Sequence, residues 1–258
     1  MKTAILEAGA ISLAWGTRMV LEGFSARFGS ASLCAVLGAN GSGKSTLLRA
    51  LAGLSEPCAG EVRLDGKILS RMPARERARH IAWLPQNIPA DWPFTVHDIA
   101  SQGRFPHSGA FRPLSHQDQA VVEAALARCD LADLAQRPVT ELSGGERQRA
   151  WIARALAQEA DILLLDEPLS QLDMAHQKEI MELLAGLRNE GRRIVMALHD
   201  VNLALAYCDR AIVLSKGCSC GDGDPAQLLM PPLVRDAWGL DVARIPDPIR
   251  PGRDIIVW

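Results

Sequence analysis

No uninterrupted apolar run in the chain approaches the roughly 18 residues that a membrane-spanning helix needs. Glu7 and Gly9 interrupt the N-terminus too early for a signal-peptide core, so the chain is expected to stay in the cytoplasm. Neither charge dominates: 28 Lys and Arg stand against 30 Asp and Glu, a net charge of −2, which leaves no global electrostatic footprint for nucleic acid. The cysteines build no framework. Those at positions 34, 58, 129, 208, 218 and 220 are scattered and mostly set in apolar stretches, which suits reduced thiols better than disulfides. Cys218-Ser219-Cys220 alone resembles a ligand pair, and with no second close pair or neighbouring His it lacks a zinc pattern. Coiled-coil heptads are missing as well. What the chain does have is 48% hydrophobic residues over 258 positions, enough to bury a sizeable core as one large domain or two closely joined lobes.

The most informative stretch, Gly38-Ala39-Asn40-Gly41-Ser42-Gly43-Lys44-Ser45-Thr46, fits the phosphate-loop pattern G-x-x-x-x-G-K-[ST] at every defined position. The apolar run from Leu33 to Leu37 leads in and Thr46-Leu47-Leu48-Arg49-Ala50-Leu51 leads out with helical character, so the loop joins a strand to a helix. Gly38, Gly41 and Gly43 let successive backbone N–H groups curl around phosphate oxygens, and the following helix N-terminus favours the same negative charge. Lys44 adds a point charge for the outer phosphates. Ser45 offers its hydroxyl to Mg²⁺, a hard cation that takes oxygen ligands. A plain glycine-rich turn is the alternative, and the lysine, the hydroxyl and both flanks speak against it.

Before the loop, Ile11-Ser12-Leu13-Ala14-Trp15 and Gly23-Phe24-Ser25-Ala26-Arg27-Phe28 alternate with the period of strands and predict an antiparallel sheet. On position alone Trp15 favours core packing, although an indole beside the Gly16-Thr17 turn could also stack on a purine. After the loop, Glu61-Val62-Arg63-Leu64 and the turn Asp65-Gly66 predict a hairpin. The alternating charges of residues 71 to 79 predict one solvated helix face. Ile81 to Leu84 reads as a buried strand that hands over at Pro85 to Gln86. Residues 87 to 115 differ in composition, with Pro89, Pro93, Pro106 and Pro113 among Trp92, Phe94, Phe105 and Phe111. With Arg104 and Arg112 these are residue types of interface cores, and equally the packing of a small helical lobe. Helices are expected from Thr95, with Asp98 three residues on, and from Ser115, with Val121, Val122, Ala125 and Leu126 on one face.

Leu142-Ser143-Gly144-Gly145-Glu146-Arg147-Gln148-Arg149 then opens a helical run to Leu156. It is a cap-and-glycine turn whose backbone donors and dipole would face an anion. Ile162 to Leu165 is the continuous apolar run of a doubly covered parallel strand, ended by Asp166-Glu167-Pro168. Asp166 suits a Mg²⁺ site and Glu167 a general base that polarises an attacking water, unless the pair merely caps the next helix. Ser170-Gln171-Leu172-Asp173 follows, and the strand-like Ile194 to Leu198 delivers His199. In this order the clusters resemble the motifs of ATP-binding cassette (ABC) ATPases: phosphate loop, signature, acid pair, D-loop and switch histidine.

The resemblance covers nearly the whole chain. It implies an α/β fold: a P-loop NTPase core with an N-terminal antiparallel β-subdomain and an inserted helical subdomain. The core lobe would span 1–86 and 160–258, and the helical part about 87–159. ATP would be bound by Trp15 stacked on adenine, by residues 38 to 46, and by Ser143, Gly144, Gly145 and Asp173. Mg²⁺ would be held by Ser45, Gln86 and Asp166, and hydrolysis carried by Glu167, His199 and Gln86. Such ATPases act in pairs, so a homodimer is implied. It would sit peripherally on the cytoplasmic face of the membrane, contacting permease subunits through 87–115. The substrate-binding protein of the same system would not touch it, and nucleic acid is not a partner. Gly103-Arg104-Phe105-Pro106-His107 and His199-Asp200-Val201-Asn202-Leu203-Ala204, running on to Tyr207-Cys208-Asp209-Arg210, are similar to importers of iron chelates, haem or cobalamin. Nothing in the chain encodes a cargo pocket. Rival readings are a non-transport cassette protein, which would favour two cassettes, coiled arms or a basic face, and a nucleotide-gated regulator, which would lack the acid at Glu167. Towards the end, residues 211 to 217 predict a closing hairpin and Asp224-Pro225 a short capped helix. The tail from Pro231 predicts a last strand at Ile255-Ile256-Val257 and no C-terminal sensor domain.

Overall fold

The computed structural model describes residues 4–88, 91–109, 112–170, 172–250 and 252–258. Pro89, Phe111 and Gln171 of the expectations above lie outside them. Strands β1 (Leu6–Trp15) and β2 (Arg18–Phe28) pair antiparallel across the Gly16-Thr17 turn, with bulges between Ala8 and Ala14. Strand β3 (Ser32–Leu37) is buried almost throughout and runs through the glycine loop into helix α1 (Lys44–Leu51). The predicted hairpin forms as β4 (Ala59–Leu64) and β5 (Lys67–Ile68), and β4 returns to β1, giving a four-stranded sheet in the order β2-β1-β4-β5.

Beyond the short helix α2 (Ala74–Ala78) and strand β6 (Ile81–Leu84), the chain turns helical. Helices α3 (Val96–Ser101), α4 (Phe105–Ser108), α5 (His116–Arg128) and α6 (Gly144–Ala157) follow. Thr95 with Asp98, Ser115 with Asp118 and Ser143 with Glu146 each form a reciprocal capping box, so three helices start where a short polar side chain satisfies otherwise orphaned N–H groups. The chain then alternates β7 (Ile162–Leu165), α7 (Met174–Asn189), β8 (Arg193–Ala197), α8 (Val201–Tyr207), β9 (Arg210–Ser215) and β10 (Cys218–Gly223). It ends with α9 (Pro225–Leu228), α10 (Pro231–Trp238) and a two-stranded ribbon of β11 (Ala243–Pro246) and β12 (Asp254–Val257).

The central sheet has the order β10-β9-β3-β8-β7-β6, parallel except for the β9–β10 hairpin. Its alternate residues feed two apolar cores. Cys34, Val36, Leu164 and Val195 pack towards the antiparallel sheet and α1, whereas Leu33, Ala35, Leu37, Leu165 and Met196 pack towards α6, α7 and the helical segment. Parallel strands covered on both faces read as continuous apolar runs, which is why Ile162 to Leu165 shows no alternation. The carboxyl ends of β3, β6, β7 and β8 lie along one edge of the sheet, where ligands of such folds bind. Each strand there delivers one chemical group.

Several expectations need correction. The charged segment 71–79 is not simply a solvated face, because Arg75 and Arg79 donate to the carbonyl oxygens of Pro106 and His107 at 2.7–3.0 Å. Free carbonyls at a short helix attract nearby guanidinium groups. For Arg104, which the sequence leaves open between interface and lobe packing, the structure shows packing: it is 5% exposed and bonded to Asp118 (2.8 Å), Glu159 (2.7 Å) and the Ala157 carbonyl (2.8 Å). Trp92 is half-buried between Phe94 and Trp151, with ring centroids at 5.8 and 5.6 Å, while Phe94 and Phe105 remain exposed. At the end of the chain, β12 pairs with β11, and a helix, α10, occupies what the sequence suggests is tail.

Candidate nucleotide site

The glycine loop leaves β3 with Gly38, Gly41 and Gly43 at φ 147°, 77° and 102°, the left-handed region that favours glycine. At Gly38 a Cβ would also run into the Leu214 carbonyl and Ser42 Oγ. The loop curls so tightly that Lys44, 4% exposed, points back over it and donates from Nζ to the carbonyls of Gly38 (2.9 Å) and Ala39 (3.3 Å). Burial pushes the Lys44 amine below its usual range, and the charges of Glu167 and Asp166 oppose that shift. Ser42 Oγ is buried with no hydrogen-bond partner among the described residues. A loop that curls its backbone round a free hydroxyl and a poised ammonium fits a phosphate chain.

Asp166, 5% exposed at the end of β7, accepts a 2.9 Å hydrogen bond at Oδ1 from Ser45 Oγ. Burial, aided by the neighbouring Glu167 charge, pushes its carboxyl up, against the pull of the Ser45 bond and Lys44. These two oxygens are a hard donor pair. Mg²⁺ is a hard cation that takes oxygen ligands and is bound through one or two protein groups together with phosphate and water. The Ser45–Asp166 pair therefore suits Mg²⁺.

Glu167 adopts φ 49°, a left-handed conformation that costs a non-glycine residue about 1 kcal/mol or more. It does not cap the next helix; Asp173 does that for α7, accepting from the His176 amide at 2.9 Å. Its carboxylate is instead clasped from both sides. Gln86 Nε2, just past β6, donates to Oε2 at 2.5 Å, and His199 Nε2, just past β8, lies 2.6 Å from Oε1. Gln86 thus meets Glu167 rather than the Ser45–Asp166 pair to which the resemblance assigned it.

A cleft of about 600 Å³ opens over the loop, lined by residues 40–46 and Glu167. Trp15 flanks it and is 73% exposed, so the core packing that its position suggested does not occur. As the last residue of β1 it projects from the hairpin end past the buried face of the sheet. Sequence reasoning missed the rest of the lining: Arg18, Met19, Val20 and Glu22 of β2, and Lys216, Gly217 and Cys218 at the β9–β10 turn. No local signal marks them, since two hairpins distant in sequence bring them together. Ser143, Gly144, Gly145 and Asp173 do not line this cleft; they stand at the starts of α6 and α7.

Residues 21–170 match the family described as ABC transporter. The probable siderophore transport system ATP-binding protein YusV of Bacillus subtilis is 39% identical over 250 residues, covering 96% of this chain and 91% of that one. The hemin import ATP-binding protein HmuV of Pseudomonas entomophila is 39% identical over 258 residues, covering 98% and 99%. A solved inward-facing conformation of a metal-chelate type ABC transporter superposes with a TM-score of 0.85 at 27% identity, covering 99% of this chain and 98% of the other. Motif order, clasped acid, sheet topology and these likenesses agree, and the chain belongs to the ABC transporter family.

Proposed function

We propose that this chain is the ATP-binding and ATP-hydrolysing subunit of an importer that drives a metal chelate through a membrane permease, the cargo being haem, a ferric siderophore or cobalamin. The observation that carries the reading is the convergence of Lys44, Ser45 and the doubly held Glu167 on one cleft, with Asp166 bonded to Ser45. The siderophore and hemin relatives support the cargo class.

In this mechanism residues 38 to 46 wrap the triphosphate, Lys44 offsets charge on its outer oxygens and Trp15 stacks on adenine. Ser45 and Asp166 would hold Mg²⁺, which when bound neutralises charge on the phosphate oxygens. Glu167 orients a water and accepts its proton. Gln86 and His199 each engage one of its oxygens, and both oxygens keep a lone pair to accept that proton. His199 then turns its ring nitrogen towards the outer phosphate. Ser143, Gly144, Gly145 and Asp173 act on nucleotide held by a second copy, because they stand outside the cleft of their own chain.

The active form is accordingly a homodimer. It lies peripherally on the cytoplasmic face and docks on the permease through 87–115, where Phe105 is exposed. The helical part is about 87–159 and the core lobe 1–86 and 160–258, the substrate-binding protein makes no direct contact, and nucleic acid is not a partner. Among the described residues no helix is long and apolar enough to cross a membrane. In lipid vesicles containing the permease, ATP turnover is expected to exceed that of the free chain, and uptake of one of the three cargo types to require it. Permease-independent turnover without uptake of any of the three would overturn the importer reading.

A further inference from the structure

Gly145 lies in the first turn of α6 with ordinary helical backbone, so conformation alone does not demand glycine there. Crowding does. A Cβ at Gly145 would stand 2.5 Å from His176 Cδ2, 2.9 Å from Cγ and 3.0 Å from Nε2, closer than carbon atoms approach. The imidazole belongs to the first turn of α7 and is itself fixed: Nδ1 lies 2.9 Å from Asp173 Oδ1, the same oxygen that accepts the His176 amide. Amide and ring together hold the Asp173 carboxyl below the usual range.

The next residue continues the brace. Gln177 Nε2 donates to the carbonyls of Leu169 (3.3 Å) and Leu172 (3.0 Å), and the Ser170 amide donates to the Glu167 carbonyl at 3.1 Å. The chain leaving Glu167 is therefore tied, hydrogen bond by hydrogen bond, to the turn that carries His176. Through His176 that turn presses on Gly145.

We propose that His176 is a positioning residue for ATP hydrolysis: it sets the spacing between the signature turn at Gly145 and the loop leaving Glu167. The backbone donors of α6 then meet the outer phosphate held by a second copy in register with the acid that activates water. This rests on the ATPase reading above. It also gives Gly145 a second reason to be glycine, the room that the imidazole takes.

The test uses the full chain with Mg²⁺-ATP. His176→Ala should bind ATP to the monomer as the wild type does and keep its melting midpoint, because Asp173 still accepts the backbone amide. Its kcat should fall by about tenfold or more, the scale on which small misplacements act. His176→Asn, which restores a polar group near Nδ1, should recover part of that loss. In a Glu167→Gln background, Gly145→Ala should weaken ATP-driven dimerisation, and adding His176→Ala should restore it in part by vacating the clashing volume. Wild-type kcat in His176→Ala, a loss that merely follows the folded fraction, or no rescue of Gly145→Ala would overturn the inference while leaving the ATPase reading intact. A wild-type chain that neither binds nor hydrolyses ATP would overturn both.

Discussion

Lys44 and Asp166 are charged groups in a place that disfavours charge: burial pushes the amine down and the carboxyl up, and neither has an ion-pair partner among the described residues. Such a pair is stabilised by a ligand that supplies phosphate to one and a cation to the other. Mg²⁺-ATP at about 100 times its Kd should add about 2.7 kcal/mol to stability, read as a rise in melting midpoint. Lys44→Ala should lose that rise together with turnover. Asp166→Asn removes a carboxylate whose ionised form the fold disfavours, so in nucleotide-free buffer its midpoint should stand at or above that of the wild type, while hydrolysis disappears. A lower midpoint would show that the Ser45 bond outweighs desolvation. Glu167→Gln keeps the shape of the side chain and loses the base; hydrolysis should fall about a hundredfold or more with ATP binding retained, measured by single turnover. At this scale the sequence was most legible where chemistry is contiguous, as from Gly38 to Thr46 or at Asp166-Glu167. It was mute for Lys216, which reaches the cleft only through tertiary packing, and misleading for Trp15, whose alternation continues a buried pattern past the end of the buried surface.

Among the elements, the helices of the inserted segment are joined to one another by a buried cation. Arg104 is buried against Asp118 and bonded to the carbonyl at the end of α6, so it joins α4, α5 and α6. Arg104→Ala would remove the ion pair from Asp118 and leave it only the Ser115 capping bonds, and should cost roughly 3 kcal/mol by denaturant unfolding. Phe105, next in sequence, is 43% exposed. Phe105→Ser should cost no more than about 1 kcal/mol and yet lower permease-stimulated uptake, a separation that unfolding and transport assays on one preparation would resolve. The capping boxes made the starts of α3, α5 and α6 readable in advance. Helix α10 was not: its opening Pro231-Pro232 looks like a tail, although proline is well suited to the first turn, and Gly239 closes the helix at φ 72°.

At the scale of the whole molecule, family, fold and order of motifs were all legible, because the phosphate loop, Gln86, the acid pair and His199 follow strands that end along one edge of the sheet, and the signature opens a helix with a readable cap. The reach of β3 was not. It lies between β8 and β9, pairing Ser32 with Arg193 and Cys34 with Arg210, partners about 160 residues or more downstream. During synthesis at 5–20 residues per second, the phosphate-loop strand would wait on the order of ten seconds for its sheet neighbours β8 and β9. In that interval Cys34 and Val36 can pack on α1 and the antiparallel sheet, while both strand edges stay unpaired. A ribosome-stalled chain ending before residue 193 should show no nucleotide protection against proteolysis, and one that includes β9 should show it. Because β7 is made before β8 and β9, the loop is seated only after Asp166 and Glu167 exist, so birth order delivers each copy with its acid pair already in place when it first takes up fuel.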